Sequence, residues 1–210
     1  MLKKTIARVG FAPITHTANG DTYGNVNWLE STEAGGREYS AEPQGNPVTI
    51  YSDGIAVVDV ANNAGYNISL TLLSLIDQLE IDWLDNKRTV DGGVLEVGGF
   101  HKSPRFALLV AQETLDGEHT YEIDTYFNCT AKRPNRTGKT SQGDNYDPDF
   151  PQFSITAKRS LDGEGTRWTT WSDTLPTTVS IPEIATSSSN SGSGSSSNSG
   201  SGSSSGTGGS

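Results

Sequence analysis

Candidate chemistry in this sequence centres on two acidic residues, Glu122 and Asp124. They lie two positions apart in HTYEIDTYFNCTAK, whose alternation predicts a β-strand with both carboxylates on one face. Paired carboxylates can act as general acid and general base. On a half-exposed strand such a pair more often forms a solvated face, so the sequence favours an acidic surface over an active site. An enzyme that uses this pair stays open as an alternative.

Other motifs give weaker indications of chemistry. The letters GKT at 138–140 are similar to the end of a phosphate loop, but the first glycine of that motif would fall at Arg133, and a strand is predicted to follow instead of a helix. His16, His101 and His119 are far apart and have no Cys or His partner at ligand spacing. No nucleophile elbow occurs. The sequence therefore predicts no catalytic residue, no metal site and no cofactor.

The charge balance limits the possible partners. The 210 residues carry a net charge of −10, and no cluster of Lys and Arg dominates. Tight binding of nucleic acid needs such a cluster, so the composition argues against it. A single cysteine, Cys129, excludes an intrachain disulfide and is predicted to be buried in a strand. No apolar run approaches the length of a membrane span, so no membrane partner is predicted.

Two regions of different composition divide the chain. From Ala185 to Ser210 it contains only Ser, Gly, Thr, Asn and one Ala, which predicts a flexible tail at 185–210. Residues 1–184 are long enough for one hydrophobic core. That region is predicted to be mainly β: a β-sandwich or barrel-like fold with one short flanking helix at about 74–85.

The helix is predicted because the hydrophobic period changes from two to between three and four at Ile76, Leu79 and Trp83, with Ser74 and Asp77 as a capping box. Tyr121, Ile123, Thr125, Phe127 and Cys129 are expected to share one face of their strand, and QFSITAKRS and TRWTTWSD to form a hairpin around LDGEG. The other predicted strands are Thr5–Ala12, Val26–Leu29, Arg37–Ala41, Val48–Tyr51, Ile55–Val60, Tyr66–Leu72 and Phe106–Gln112.

A long polar loop at about 133–149, RPNRTGKTSQGDNYDPD, lies between two predicted strands. Loops of this length without structure of their own are uncommon and are usually functional or disordered. Basic residues stand at its start and acidic residues toward its end, which suits a head-to-tail contact between identical chains. Its proposed contact residues are Arg133, Arg136, Lys139, Asp144, Tyr146, Asp147 and Asp149.

Four stretches, in this order, resemble one protein family: GDTYGNVNWLESTEAGG, VTIYSDGIAVVDVANNAGYNISLTLLSL, FALLVAQETLDGEHTYEIDTYFNCTAKRP and DPDFPQFSITAKRSLDG. They cover most of Thr22 to Gly163, and their order and spacing carry the likeness. The chain is similar to the major tail proteins, or tail tube proteins, of phages with long non-contractile tails, especially phages of Gram-positive bacteria.

The resemblance implies a structural virion protein that assembles into hexameric rings stacked into a tube. The expected partners are further copies of the chain, the tape-measure protein, the tail terminator and the distal tail proteins. Double-stranded DNA would pass through without specific binding. The protein would be found in the virion, and in the host cytoplasm during assembly.

The resemblance also gives the candidate residues a role. Glu122 and Asp124 would face the lumen, where an acidic wall repels phosphates, and the polar loop would reach the next ring. The alternative from the residues alone is a carbohydrate-binding β-sandwich with Trp168, Trp171 or Tyr126 as stacking platforms.

Overall fold

The computed structural model describes residues 3–18, 20–46, 48–53, 55–60, 62–100, 102–115, 117–136, 148–160, 163 and 165–183. Over these residues the chain forms a nine-stranded antiparallel sheet, two separate two-stranded sheets and two short helices, so the predicted mainly β class is confirmed. The strands are β1 (Lys3–Thr17), β2 (Gly20–Tyr23), β3 (Asn27–Trp28), β4 (Gly36–Gln44), β5 (Val48–Ser52), β6 (Ile55–Val60), β7 (Gly65–Leu72), β8 (Lys87–Arg88), β9 (Val94–Leu95), β10 (Phe106–Thr114), β11 (Tyr121–Ala131), β12 (Gln152–Lys158) and β13 (Arg167–Ser172), and the helices are α1 (Ser31–Ala34) and α2 (Asp77–Leu84).

The large sheet has the strand order β2-β1-β10-β11-β12-β7-β4. Strand β3 also pairs with β1, and β13 also pairs with β11. The remaining strands form two separate hairpins, β5 with β6 and β8 with β9.

The main core lies between two parts of this sheet. One part supplies Phe11 of β1 and Phe106 of β10, and the other supplies Leu70 of β7 and Phe153 of β12. Every one of these four side chains is fully buried. Because the two parts share one cluster, the sheet encloses its apolar side chains between β1-β10-β11 and β12-β7-β4.

Helix α2 covers this core through Trp83. The Trp83 ring stacks on Phe106 with 4.6 Å between ring centroids, and it meets Phe11 and Phe153 edge-on at 5.7 and 5.1 Å. The apolar residues whose spacing predicts the helix, Leu79 and Trp83 among them, therefore lie on its buried side. Asp85 ends the helix in the left-handed conformation, with φ of 59°.

The predicted helix start is wrong. The helix begins at Asp77 instead of Ser74, and its N-cap residue, Ile76, has an extended backbone without a side-chain cap. Ser74 does not take part in a capping box, because its hydroxyl donates to the carbonyl oxygen of Glu33. Tertiary contact with the α1 segment thus replaces the local cap. The short helix α1 itself was not predicted.

The predicted alternation along β11 fails after residue 126. The register against β10 shifts there, since Leu108 pairs with Tyr126 and Phe106 pairs with Cys129. One extra residue in β11 makes a β-bulge, which reverses the faces that follow it. Cys129 therefore lies in the main core with Tyr126, not on the face of Ile123.

The predicted hairpin of the last two strands is also wrong. Strand β12 pairs with β11 over 128–131, and β13 pairs with β11 over 121–126, so the two strands follow one another along a single edge of β11. The chain leaves that edge after Lys158 and returns at Arg167 in the same direction. The eleven residues of β11 are long enough to hold both strands.

A smaller apolar cluster lies on the other face of β10 and β11. Leu109, Ala111 and Ile123 form it, and Leu175 and Val179 of the last described segment pack over it. Hydrogen bonds hold this segment in place, from Trp28 Nε1 to the Pro176 carbonyl at 2.8 Å and from the Val26 amide to the Thr177 carbonyl at 2.9 Å. Neither described helix is long and apolar enough to cross a lipid bilayer. The predicted tail at 185–210 lies outside the described residues.

Candidate functional site

The acidic pair is buried in the single chain. Asp124 is 4% exposed and Glu122 is 7% exposed. Asp124 lies opposite Val110, and Tyr126 lies opposite Leu108, which places both on the core side of β11. The expectation of a solvated acidic face at Glu122 and Asp124 is therefore not met in this chain, because core side chains share that face and β13 side chains contact Asp124.

Asp124 belongs to a buried polar network instead. Its Oδ1 accepts a hydrogen bond from Thr169 Oγ1 at 2.6 Å and lies 3.8 Å from Arg167 Nε. The Arg167 guanidinium stands 5.6 Å from the centroid of the Tyr66 ring. A buried carboxylate needs such partners, since an unpaired buried charge is strongly unfavourable. The contacts of Asp124 with Thr169 and Arg167 thus add side-chain interactions to the backbone pairing of β13 with β11.

Two tyrosine hydroxyls complete this network. Tyr39 of β4 and Tyr126 of β11 share a hydrogen bond across the core, and the Tyr66 ring meets Tyr126 edge-on at 5.4 Å. Burial raises the pKa of both hydroxyls above the ordinary tyrosine value. Both hydroxyls therefore stay protonated at neutral pH. Their hydrogen bond links β4 to β11 across the core.

The start of the long loop is fixed to the body of the protein. Arg136 Nη2 donates to Glu80 Oε1 at 2.6 Å, and Asn86 Nδ2 donates to Glu80 Oε2 at 3.0 Å. The Glu80 side chain is 11% exposed, so the carboxylate is a largely buried acceptor that Asn86 holds in place. Arg133 pairs with Glu96.

The end of the loop is fixed as well. The Arg37 guanidinium lies 3.7 Å from the centroid of the Phe150 ring, which is a cation–π contact. The Leu72 amide donates to the Pro151 carbonyl at 3.0 Å. A cavity of about 400 Å³ lies between the two ends, and its walls include Leu75, Glu80 and Phe150.

These contacts divide the predicted loop residues into two groups. Arg133 and Arg136 are engaged within the chain, and Asp149 is exposed at the other end of the loop. The proposed contacts Lys139, Asp144, Tyr146 and Asp147 lie outside the described residues. The two arginines therefore anchor the loop in this structure, a role that spacing alone did not indicate.

The β5–β6 hairpin exposes three large apolar side chains. It is inserted between β4 and β7 and pairs with neither. Val48, Ile50 and Ile55 are 55%, 52% and 70% exposed. A two-stranded hairpin is marginally stable alone in water, so this one is expected to gain stability from a further surface.

The outer face of β4, β7 and β12 is polar. Glu38, Ser40 and Glu42 point away from the core on β4, opposite Thr71, Ser69 and Asn67 of β7. Strand β12 extends this face with the uncharged polar residues Gln152, Ser154 and Thr156. A sheet face of this kind stays hydrated. It carries negative charge at Glu38 and Glu42 and positive charge at Lys132 and Lys158.

The remaining candidates take ordinary structural places. Cys129 is buried as predicted, and burial raises its thiol pKa to about 12. His16 Nδ1 lies 2.8 Å from Asp21 Oδ1, and His119 Nδ1 lies 3.7 Å from Asp173 Oδ1, while His101 is outside the described residues. Among the described residues, no three His, Cys, Asp or Glu side chains are grouped as metal ligands.

The aromatic residues do not make a common platform. Trp168 is 37% exposed and Trp171 is 50% exposed, and their pairing with Thr125 and Glu122 puts them on opposite faces of β13. Tyr126 is fully buried. Neither tryptophan belongs to the buried core.

The sequence matches no protein-family model and no curated protein. Function therefore has to be argued from the surfaces described above. Those surfaces are the anchored loop, the apolar β5–β6 hairpin and the polar face of β4, β7 and β12.

Proposed function

We propose that this chain is a tail tube subunit, which assembles into stacked hexameric rings that form the conduit for DNA in a phage tail. It acts as a structural protein without catalytic activity. Its partners would be further copies of itself, with the tape-measure, terminator and distal tail proteins at the core and ends of the tube. The family resemblance gives the kind of assembly, and the structure supplies surfaces that suit it.

The observation that carries the proposal is the exposed β5–β6 hairpin. Its apolar side chains, Val48, Ile50 and Ile55, lie outside both core clusters. An exposed apolar hairpin on a soluble chain is a typical protein–protein contact. Because both strands also have an outer edge without a described partner strand, a neighbouring copy can extend this small sheet by pairing with it.

The anchored loop supports contact between rings. Both of its ends are held to the body of the protein, at Glu80 through Arg136 and at Arg37 through Phe150. Fixing the ends lowers the conformational entropy that the loop loses on contact with a neighbour. A free loop would lose more, so the anchoring favours a role in assembly.

The polar face of β4, β7 and β12 suits the wall of a DNA channel. Glu38 and Glu42 are exposed there, whereas Glu122 and Asp124 are buried. Lys132 and Lys158 lie on the same face, so these two carboxylates balance two cations there, and a face without excess positive charge lets a duplex pass without tight binding. We therefore transfer the lumen-facing role to Glu38 and Glu42.

A carbohydrate-binding module is supported less well. Of its three candidate platforms, Tyr126 is buried, and Trp168 and Trp171 lie on opposite faces of β13. Extended sugar chains are usually held by aromatic rings that form one surface, and the described aromatic residues of β11 and β13 do not form one.

Negative-stain electron microscopy of the purified, concentrated chain tests the proposal. Tubes or six-fold rings are expected. A shortened loop that lacks residues 138–146 and keeps Arg136 should give folded subunits that form rings but no long tubes. Uniform small particles at every concentration, even after addition of tail-initiating proteins, would contradict the proposal, and glycan binding by those particles would favour the alternative.

A further inference from the structure

An exposed aromatic side chain stands at the tip of a glycine-containing loop. Phe100 is 112% exposed relative to the reference state, whereas Phe11, Phe106, Phe127 and Phe153 are fully buried. It follows Gly98 and Gly99, and Gly99 has a φ of 89°. A Cβ atom added at Gly98 would meet nothing within 4 Å, so there is open space beside the backbone just before Phe100.

The same chain carries a cavity of matching chemistry. It has a volume of about 290 Å³ and lies between β13 and the segment at 174–180. Leu109, Ile123, Trp168 and Val179 are among its apolar lining residues, and serine and threonine side chains complete the lining. A cavity of about 150 Å³ with apolar walls is enough to bind benzene, so this one has room for the phenyl ring of a phenylalanine.

Charge complementarity indicates how the two surfaces would meet. Lys102 is exposed two residues after Phe100. Asp173 lies between the cavity residues Ser172 and Thr174. Its Oδ1 accepts a hydrogen bond from the Thr120 amide at 3.0 Å and lies 3.7 Å from His119 Nδ1, and its side chain is 68% exposed. A lysine beside the aromatic ring and an aspartate beside the cavity bring opposite charges together at the edge of the contact.

We propose that Phe100 of one copy inserts into the Trp168 cavity of the next copy, with Lys102 near Asp173. This inference deepens the proposed function, since it names one contact between subunits of the tube. The two surfaces are different parts of the same chain, so the contact is heterologous, and repeated copies close into a ring or extend into a filament. The same chain carries both the Phe100 side chain and the cavity, so a second copy of the chain is the partner that fills the cavity.

The first test compares Phe100→Ala with Val90→Ala. Val90 is the control because it is a similarly exposed apolar residue, at 104%, on the β8–β9 hairpin, and it is not part of the proposed contact. Phe100→Ala should raise the concentration needed for assembly by about tenfold or more, as for a central interface residue. Val90→Ala should leave it unchanged. Equal assembly of both variants would overturn the proposal and leave the tube function standing.

A second test uses the two halves separately. Thr170→Phe would fill the cavity from within its own chain, since Thr170 lines it. Circular dichroism would first establish that the variant is folded. A chain with Phe100→Ala keeps the cavity, and a chain with Thr170→Phe keeps the Phe100 side chain, so a mixture of the two can form one Phe100–cavity contact in each pair. Light scattering should therefore show stronger association in the mixture than in either variant alone. Association of the mixture no stronger than that of the separate variants would contradict the contact.

Cross-linking separates this inference from the proposed function. One chain carries Phe100→Cys and a second, of different mass, carries Thr170→Cys. The native Cys129 is buried and should not interfere. A mixed disulfide between these two variants, combined with absence of tubes from the wild-type chain, would support the contact and contradict the tube. Wild-type tubes without a mixed disulfide between the variants would contradict the contact alone.

Discussion

Arg136 Nη2 donates a hydrogen bond of 2.6 Å to Oε1 of Glu80, a residue on helix α2 that lies 56 positions earlier in the chain. This contact joins an exposed side chain to a largely buried carboxylate. It connects the helix, which packs on the core through Trp83, with the long polar loop. The direction in which the loop leaves the protein is therefore tied to the core.

We expect the Glu80–Arg136 pair to show measurable coupling. A double-mutant cycle with Glu80→Gln and Arg136→Gln should give a coupling energy of about 1 kcal/mol in urea unfolding, because one partner is largely buried. The control is the pair Arg88–Asp77, at 3.7 Å with both side chains more than half exposed. Its coupling should be close to zero. Equal coupling in both cycles would show that burial of Glu80 does not matter.

Charge reversal at Asp124 should destabilise the folded subunit itself. Asp124→Lys places a cation next to Arg167 in a buried network, and loss of such a buried partner typically costs about 3–5 kcal/mol. Glu38→Lys is the matched control, since Glu38 is exposed on β4, and it should change stability by less than about 0.5 kcal/mol. The measurement is urea unfolding followed by circular dichroism. A stable Asp124→Lys chain would place that carboxylate at a surface.

Stability should decrease at alkaline pH. The pKa values of Cys129, Tyr39 and Tyr126 are raised in the folded chain by burial, so the unfolded chain releases these protons first. The contribution of Cys129 is fully present below about pH 9 and is lost between about pH 9 and 12 as pH rises. Urea unfolding at pH 8, 9, 10 and 11 should show this decline, and Cys129→Ala should reduce its slope. Constant stability over this range would contradict the burial of these groups.

The Cys129 thiol should be inert in the native protein. Its pKa of about 12 leaves few thiolate ions at pH 8, and its side chain is fully buried. An aromatic disulfide reagent should react within minutes in guanidinium chloride and at least about a hundred times more slowly without it. A cysteine introduced at exposed Val90 provides the control for an accessible thiol. Fast reaction of Cys129 in native buffer would show that β11 opens readily.

Removal of the Trp83 ring should release helix α2 from the core. Trp83→Ala should cost about 3–5 kcal/mol, whereas Trp83→Phe keeps an aromatic contact with Phe106 and should cost less. Trp171→Ala is the control, because that ring is half exposed on β13. Thermal unfolding by calorimetry would measure the three variants. If Trp83→Ala melted like Trp171→Ala, the helix would not depend on this ring.

Local patterns in the amino-acid sequence were enough to predict the mainly β class, the presence of helix α2 and the burial of Cys129. Alternation and the spacing of Leu79 and Trp83 are local properties, and burial of one side of an element follows from them. The predicted start of the helix was wrong, because Ser74 bonds to Glu33 in a distant segment instead of capping the helix.

The order of strands in the sheet could not be predicted from these local patterns. An alternating pattern gives a strand two faces but does not say which face meets the core, and the pattern at Glu122 and Asp124 is compatible with either. The pairing of Asp124 with Thr169 and Arg167 buries it, and the β-bulge in β11 moves Cys129 to the opposite face. Partners that are far apart in sequence leave no local signal, since folding alone brings their side chains together.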